Sequence, residues 1–217
     1  MKERKSMIGP LLVLFGSSFI LAFSGAMMPG PLFAVTVAES PRQGYKTGPL
    51  LMLGHGILEM ALIAALLFGL APFLSDPKTF TAVSSIGGTI LLAMSILMLK
   101  TLPSLDLPAP GTARKSNSLV WSGILVSLSN PYWLLWWATV GLGCLGRSRP
   151  YGLKGIIVFF SGHILADFVW YGMVSAAVCR GRRILKKTAY RILTGVCAGF
   201  LALFGVYFLG SAIVKML

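Results

Sequence analysis

The sequence predicts an all-α, polytopic membrane protein of six transmembrane helices, built as two inverted three-helix repeats with broken first helices. Three observations carry this expectation. Hydrophobic residues make up 56% of the 217-residue chain and charged residues 12%, with a mean hydropathy of +0.81. Six apolar stretches, at about 8–38, 48–73, 80–99, 119–143, 154–178 and 192–214, are each long enough to cross a hydrocarbon layer about 30 Å thick. The chain's two histidines, His55 and His163, also share one local setting 108 positions apart, each after a glycine and each four residues before an acid, Glu59 or Asp167.

The first stretch follows Lys2, Arg4 and Lys5 and reaches the small residues Ser24, Gly25 and Ala26, as a signal peptide would. A secretory apolar region is only about 7–15 residues long, so this longer one is expected to stay as an uncleaved first span. Pro29-Gly30-Pro31 must interrupt it, because proline lacks an N–H, clashes with the preceding turn and forces its neighbour out of helical geometry. The second stretch holds Gly54, His55, Gly56 and Glu59. The third holds Gly87-Gly88; the sixth has Gly195, 108 positions after Gly87, and Gly199, small residues that let helices pack closely. The fourth is broken at Asn130-Pro131, and the fifth carries Gly162, His163 and Asp167.

The one long connection, 100–118, leaves no room for a separate soluble unit. The expected organisation is a single membrane domain, 1–217, with repeat one at about 8–99 and repeat two at about 119–214. Gly44 with Gly152 and Lys46 with Lys154 also align at the 108-residue displacement. The spacing from break to His differs between the halves, so a loop has changed length. Three crossings per repeat is an odd number, which makes the second repeat enter from the opposite side.

The net charge of +13 does not indicate nucleic-acid binding, since the 19 Lys and Arg lie in tails and loops at the ends of the spans. Cations so placed orient a protein and meet anionic lipid headgroups, which makes the bilayer the expected partner. Loops on one side carry eleven of them, including the cluster at 180–191, and the tails and remaining loops carry eight. The imbalance predicts both termini outside and the cluster in the cytoplasm, although the basic N-terminus pulls the other way.

Breaks at membrane depth expose N–H and C=O groups that can hold a carboxylate or a cation. Pro29, Gly30, Pro31, Asn130 and Pro131 are therefore expected to shape a substrate site; a packing kink is the alternative. Asn130 can cap a broken helix or touch a substrate. An ionisable group inside a span is a functional candidate by default. Glu59 and Asp167, supported by His55 and His163, are expected to couple a proton or cation or to bind a substrate amine. A pair of self-satisfied intrahelical contacts is one alternative, and a divalent metal site is another. Cys144, Cys179 and Cys197 show no CxxC spacing, so no thiol relay is expected. No phosphate loop, nucleophile elbow or dinucleotide fingerprint occurs, so no ATP coupling, enzymatic activity or cofactor is expected. Tyr132, Trp133, Trp136 and Trp137 read first as an interfacial belt, and second as the wall of a site.

These residues resemble the lysine exporter/homoserine–threonine resistance (LysE/RhtB-type) amino-acid translocators over essentially the whole chain. The resemblance is carried by Pro29-Gly30-Pro31, Gly44, Gly48, Gly54-His55-Gly56 with Glu59, and Gly87-Gly88-Thr89. In the second half it rests on Ser129-Asn130-Pro131-Tyr132-Trp133 and on Gly162-His163 through Asp167-Phe168-Val169-Trp170, as in the branch common in archaea and anaerobic bacteria. It implies a small multi-pass exporter of the cytoplasmic (inner) membrane, in many cases a homodimer, moving amino acids outward by alternating access without ATP. It does not imply which amino acid.

Overall fold

A computed structural model describes residues 2–74, 76–104, 116–181 and 187–216, and nearly all of them are helical. Helix α1 (Lys2–Ala26) ends at the first proline break and α2 (Pro31–Gln43) resumes beyond it. Helix α3 (Thr47–Ala65) runs through a π turn at Leu66–Leu70 into the short α4 (Ala71–Leu74), followed by α5 (Pro77–Thr101). Helix α6 (Ser116–Leu128) stops at the second break, and α7 (Pro131–Trp136) passes through another π turn, Trp137–Gly141, into α8 (Leu142–Ser148). The long helices α9 (Gly152–Gly181) and α10 (Lys187–Met216) complete the chain.

Helix starts follow local chemistry. Helices α2, α5 and α7 each open on a proline, which has no N–H to leave unpaired there. Asp76 caps α5 by accepting from Thr79 N–H at 2.9 Å, and Asn130 caps α7 by accepting from Tyr132 N–H at 3.1 Å. Gly44 and Gly152, 108 positions apart, turn the chain just before α3 and at the start of α9 with φ of 83° and 60°. Both values lie in the left-handed region, where glycine is the natural occupant.

Met7–Ala26, Thr47–Leu70, Pro77–Ser104 and Lys187–Val214 are each long and apolar enough to cross a membrane. So is the run Pro131–Gly181, which contains both α7–α8 and α9, while Ser118–Leu128 is shorter. The expected first and fourth spans are thus each divided at their breaks. Large apolar residues such as Val13, Phe68, Leu153 and Val214 face outward. That surface is suited to lipid, and the chain is a multi-pass membrane protein.

The principal helix pairs join the two halves. Helices α3 and α9 are antiparallel: Gly48 lies on the Tyr171 carbonyl and Gly56 on the Ile164 side chain. Helices α5 and α10 are also antiparallel, with Gly88 on Gly205, Ser95 on Ala198 and Leu102 on Gly195. Helix α1 crosses α9 where Gly162 meets the Phe15 carbonyl, and α6 crosses α3 where Gly54 meets the Val120 carbonyl. Those two contacts correspond at displacements of 108 along α3/α9 and 105 along α1/α6. The neighbouring pairs, Ser18 with Phe159 and Gly123 with Leu51, correspond at the same displacements. Beyond their crossing, α1 and α2 follow one another along α9, from Phe23 against Trp170 to Ser40, whose carbonyl accepts from Cys179 Sγ.

One expectation about small residues changes. Gly87 and Gly88 pack closely, against Pro131 and Gly205 respectively, but a side chain at Gly199 would meet nothing within 4 Å. Gly205, not Gly199, is the close-contact glycine on α10; spacing alone cannot tell the inward face of so apolar a helix. Ser95 Oγ donates to the Ala198 carbonyl at 2.7 Å across the same interface. Ser95→Ala is expected to cost about 0.6–1.7 kcal/mol, the range for hydrogen bonds between membrane helices, as measured by reversible unfolding in detergent.

Candidate functional site

The two breaks and the two His–acid pairs meet. Pro29, Gly30 and Pro31 line one cavity of about 80 Å³ together with Asn130, His55, Glu59, His163 and Asp167. A Cβ at Gly30 would stand 3.8 Å from Asn130 Nδ2, so the breaks approach each other directly. Pro131 does not line the cavity. Its ring packs against Gly87 of α5 at 2.7 Å from the position of an added Cβ, and its part is to open α7. The N-terminal end of α2 has no side-chain cap, and helical geometry leaves its first N–H groups without an intrahelical acceptor.

Antiparallel packing of α3 on α9 crosses the pairs. His163 Nε2 lies 2.9 Å from Glu59 Oε2 and 3.6 Å from Asp167 Oδ2. His55 Nε2 lies 3.2 Å from Glu59 Oε1 and 3.9 Å from Asp167 Oδ2. The expected intrahelical pairs therefore exist, but the shortest contact joins the two halves. All four residues are buried.

The remaining contacts divide the two acids. Glu59 Oε1 accepts from the indole N–H of Trp133 at 3.1 Å and of Trp137 at 2.9 Å, in addition to facing His55. Asp167 Oδ2 has no hydrogen-bond partner among the described residues, and Glu59 Oε2 has none beside its 2.9 Å ionic contact with His163. Ser127 Oγ donates to the Gly123 carbonyl at 2.6 Å, which uses its only proton. It must then accept from His55 Nδ1 at 2.7 Å, so His55 turns Nε2 toward the acids. Glu59 is held from four sides and Asp167 is exposed to the cavity.

The tryptophans are not an interfacial belt. Trp137 is fully buried, Trp133 nearly so, and both point at Glu59. The ring of Trp136 lies 4.8 Å from that of His163, and Trp133 and Trp136 line the cavity. Hydropathy treats an interfacial ring and a buried one alike. The i,i+4 spacing of Trp133 and Trp137, which places two indole donors on one helical face, is the signal that could have shown a shared acceptor. Ser127 had no such signal. Trp137→Phe, which keeps the ring but removes one donor, is expected to cost about 1–3 kcal/mol and to lower transport, read by thermal unfolding and by flux.

His55, Glu59 and Asp167 each present one ligand atom within 4.8 Å of the others, a spacing that could hold a divalent ion. The donor set of nitrogen and carboxylate oxygen would suit a transition metal.

Broken half-helices around a cavity lined by buried ionisable residues, in a bundle of apolar helices, match the architecture of a membrane transport protein. Comparison identifies the family. The LysE type translocator family matches residues 23–212, and the chain belongs to it. The "Putative amino acid efflux protein YcgF" of Bacillus subtilis is 25% identical over 197 residues, 90% of this chain and 94% of that protein. The "Chemotactic transduction protein ChpE" of Pseudomonas aeruginosa is 24% identical over 204 residues, 93% of this chain and 97% of that protein. No solved structure matches significantly.

Proposed function

We propose that this protein exports amino acids across the cytoplasmic membrane by alternating access, coupled to a proton or another cation. The observation that carries the proposal is that residues of both helix breaks and of both His–acid pairs line one cavity. An amino acid presents an anion and a cation on one carbon, and the cavity offers a complement for each. The start of α2, with its uncapped N–H groups, and Asn130 suit the carboxylate. Asp167 Oδ2 suits the ammonium group or a coupling proton. Family membership and the efflux function named for the Bacillus relative support the outward direction.

The π turns at Leu66–Leu70 and Trp137–Gly141 give the movement a place to occur, since such turns concentrate bending. Gly69 in the first has a φ of 105°, and Trp137 in the second donates to Glu59. A change at the ionic cluster therefore reaches a bend directly.

The test is efflux from an exporter-deficient bacterial host loaded with dipeptides, measuring external amino acids. Wild type is compared with the Glu59→Gln/Asp167→Asn double variant at matched expression. Selective release lost in the double variant is the expected result. The ligand spacing of His55, Glu59 and Asp167 favours one second reading, export of a divalent metal ion. Wild type that releases no amino acid yet confers tolerance to a divalent ion would replace the first reading with the second. His55→Ala would then be as damaging as Glu59→Gln.

A further inference from the structure

We propose that the cavity selects amino acids whose only cationic group is the α-ammonium, bound by Asp167, and whose side chain is uncharged and aliphatic. This rests on the amino-acid reading above and names the substrate class of the same site.

The first ground is the count of available acid oxygens. Two carboxylates line the cavity, Glu59 and Asp167, and no Lys or Arg does. Glu59 Oε1 already takes two indole donors and faces His55, and Oε2 lies 2.9 Å from His163. An ammonium reaching Glu59 would have to displace buried partners. Asp167 lines the cavity, and its Oδ2, like Glu59 Oε2, is buried with no hydrogen-bond partner among the described residues. The nearest imidazole nitrogen stands 3.6 Å from Asp167 Oδ2 but 2.9 Å from Glu59 Oε2, which leaves Asp167 the more available acid. One available acid position serves one ammonium group. A basic amino acid brings two.

The second ground is how the helix pairs divide the wall. The first helix of each half supplies the breaks, with backbone donors and Asn130. The second, α3 and α9, supplies the four ionisable groups. The third, α5 and α10, supplies Leu91 and Phe204, which share one apolar cluster with Tyr132. Tyr132 and Phe204 are in ring contact at 6.3 Å. An ammonium placed among these side chains would be unpaired in an apolar setting, which disfavours it.

Norleucine and lysine test charge nearly alone, because their side chains are similar in length and differ by the terminal ammonium. Purified wild-type protein in liposomes would be assayed for release of each amino acid, and of a divalent ion, down matched gradients. The expected result is norleucine favoured over lysine by about 10²-fold, as the apolar-transfer penalty implies, with norleucine release lost in Asp167→Asn. Lysine released as well as norleucine, or norleucine release surviving Asp167→Asn, would overturn the proposed selectivity and leave the amino-acid exporter standing. Release of the divalent ion with neither amino acid would overturn both.

Discussion

Glu59→Gln is expected to abolish export and to lower stability by about 3–5 kcal/mol, the usual cost of removing one member of a buried ion pair. Asp167→Asn is expected to abolish export as well, but to cost only about 1 kcal/mol. The contrast follows from their partners. Glu59 anchors two indole N–H groups and faces both imidazoles, so the amide confronts these donors with one acceptor fewer and an N–H₂ of its own. Asp167 Oδ2 has no hydrogen-bond partner to lose among the described residues, and its nearest imidazole nitrogen is 3.6 Å away. Thermal unfolding in detergent, paired with flux at equal reconstituted amounts, measures both effects. Equal destabilisation by the two substitutions would show that the acids are not divided between an anchored and an available role.

Gly54→Val is expected to prevent stable folding, at a cost above about 3 kcal/mol, the upper range for overpacking a core. A Cβ at Gly54 would stand 1.9 Å from the Val120 carbonyl oxygen and 3.1 Å from Ile124 N. Both obstacles are backbone, so α3 and α6 would have to separate, and with them the His55–Ser127 contact. Gly48 and Gly123 are in the same position, with added Cβ atoms 2.0 Å from the Tyr171 and 2.1 Å from the Leu51 carbonyl oxygen. Gly199→Ala is the matched control. Nothing lies within 4 Å of a Cβ there, and the change should be neutral or stabilising by up to about 1 kcal/mol through helix propensity. The yield of monodisperse protein and its thermal midpoint distinguish the cases.

How much of this is legible in the sequence depends on whether the cause is local. Apolar runs and prolines act within a few residues, so the spans and both breaks can be read directly. The capping role of Asn130 follows equally from its place before Pro131. The setting shared by His55 and His163 makes a polar centre visible, because two equivalent pairs in apolar helices call for a common explanation. Which His faces which acid depends instead on α3 and α9 packing antiparallel, and no local feature encodes that. The same is true of Ser127, whose partner lies 72 positions earlier. The burial of Trp133 and Trp137 and the open face at Gly199 are not legible for a related reason: in a helix apolar all round, periodicity no longer separates the face toward protein from the face toward lipid.

The way the helices pair also determines when this protein can fold during its synthesis. The largest interfaces, α5 with α10, α1 with α9 and α3 with α6, each join a helix made early to one made late. A ribosome that has finished the first half has inserted helices whose glycine-lined faces still lack their counterparts. Those faces, and Glu59 with them, must wait in lipid or beside an insertion chaperone until α9 and α10 emerge. Truncated chains should therefore be cleared by membrane proteases, whereas the two halves, produced as separate polypeptides in one cell, should find each other and assemble.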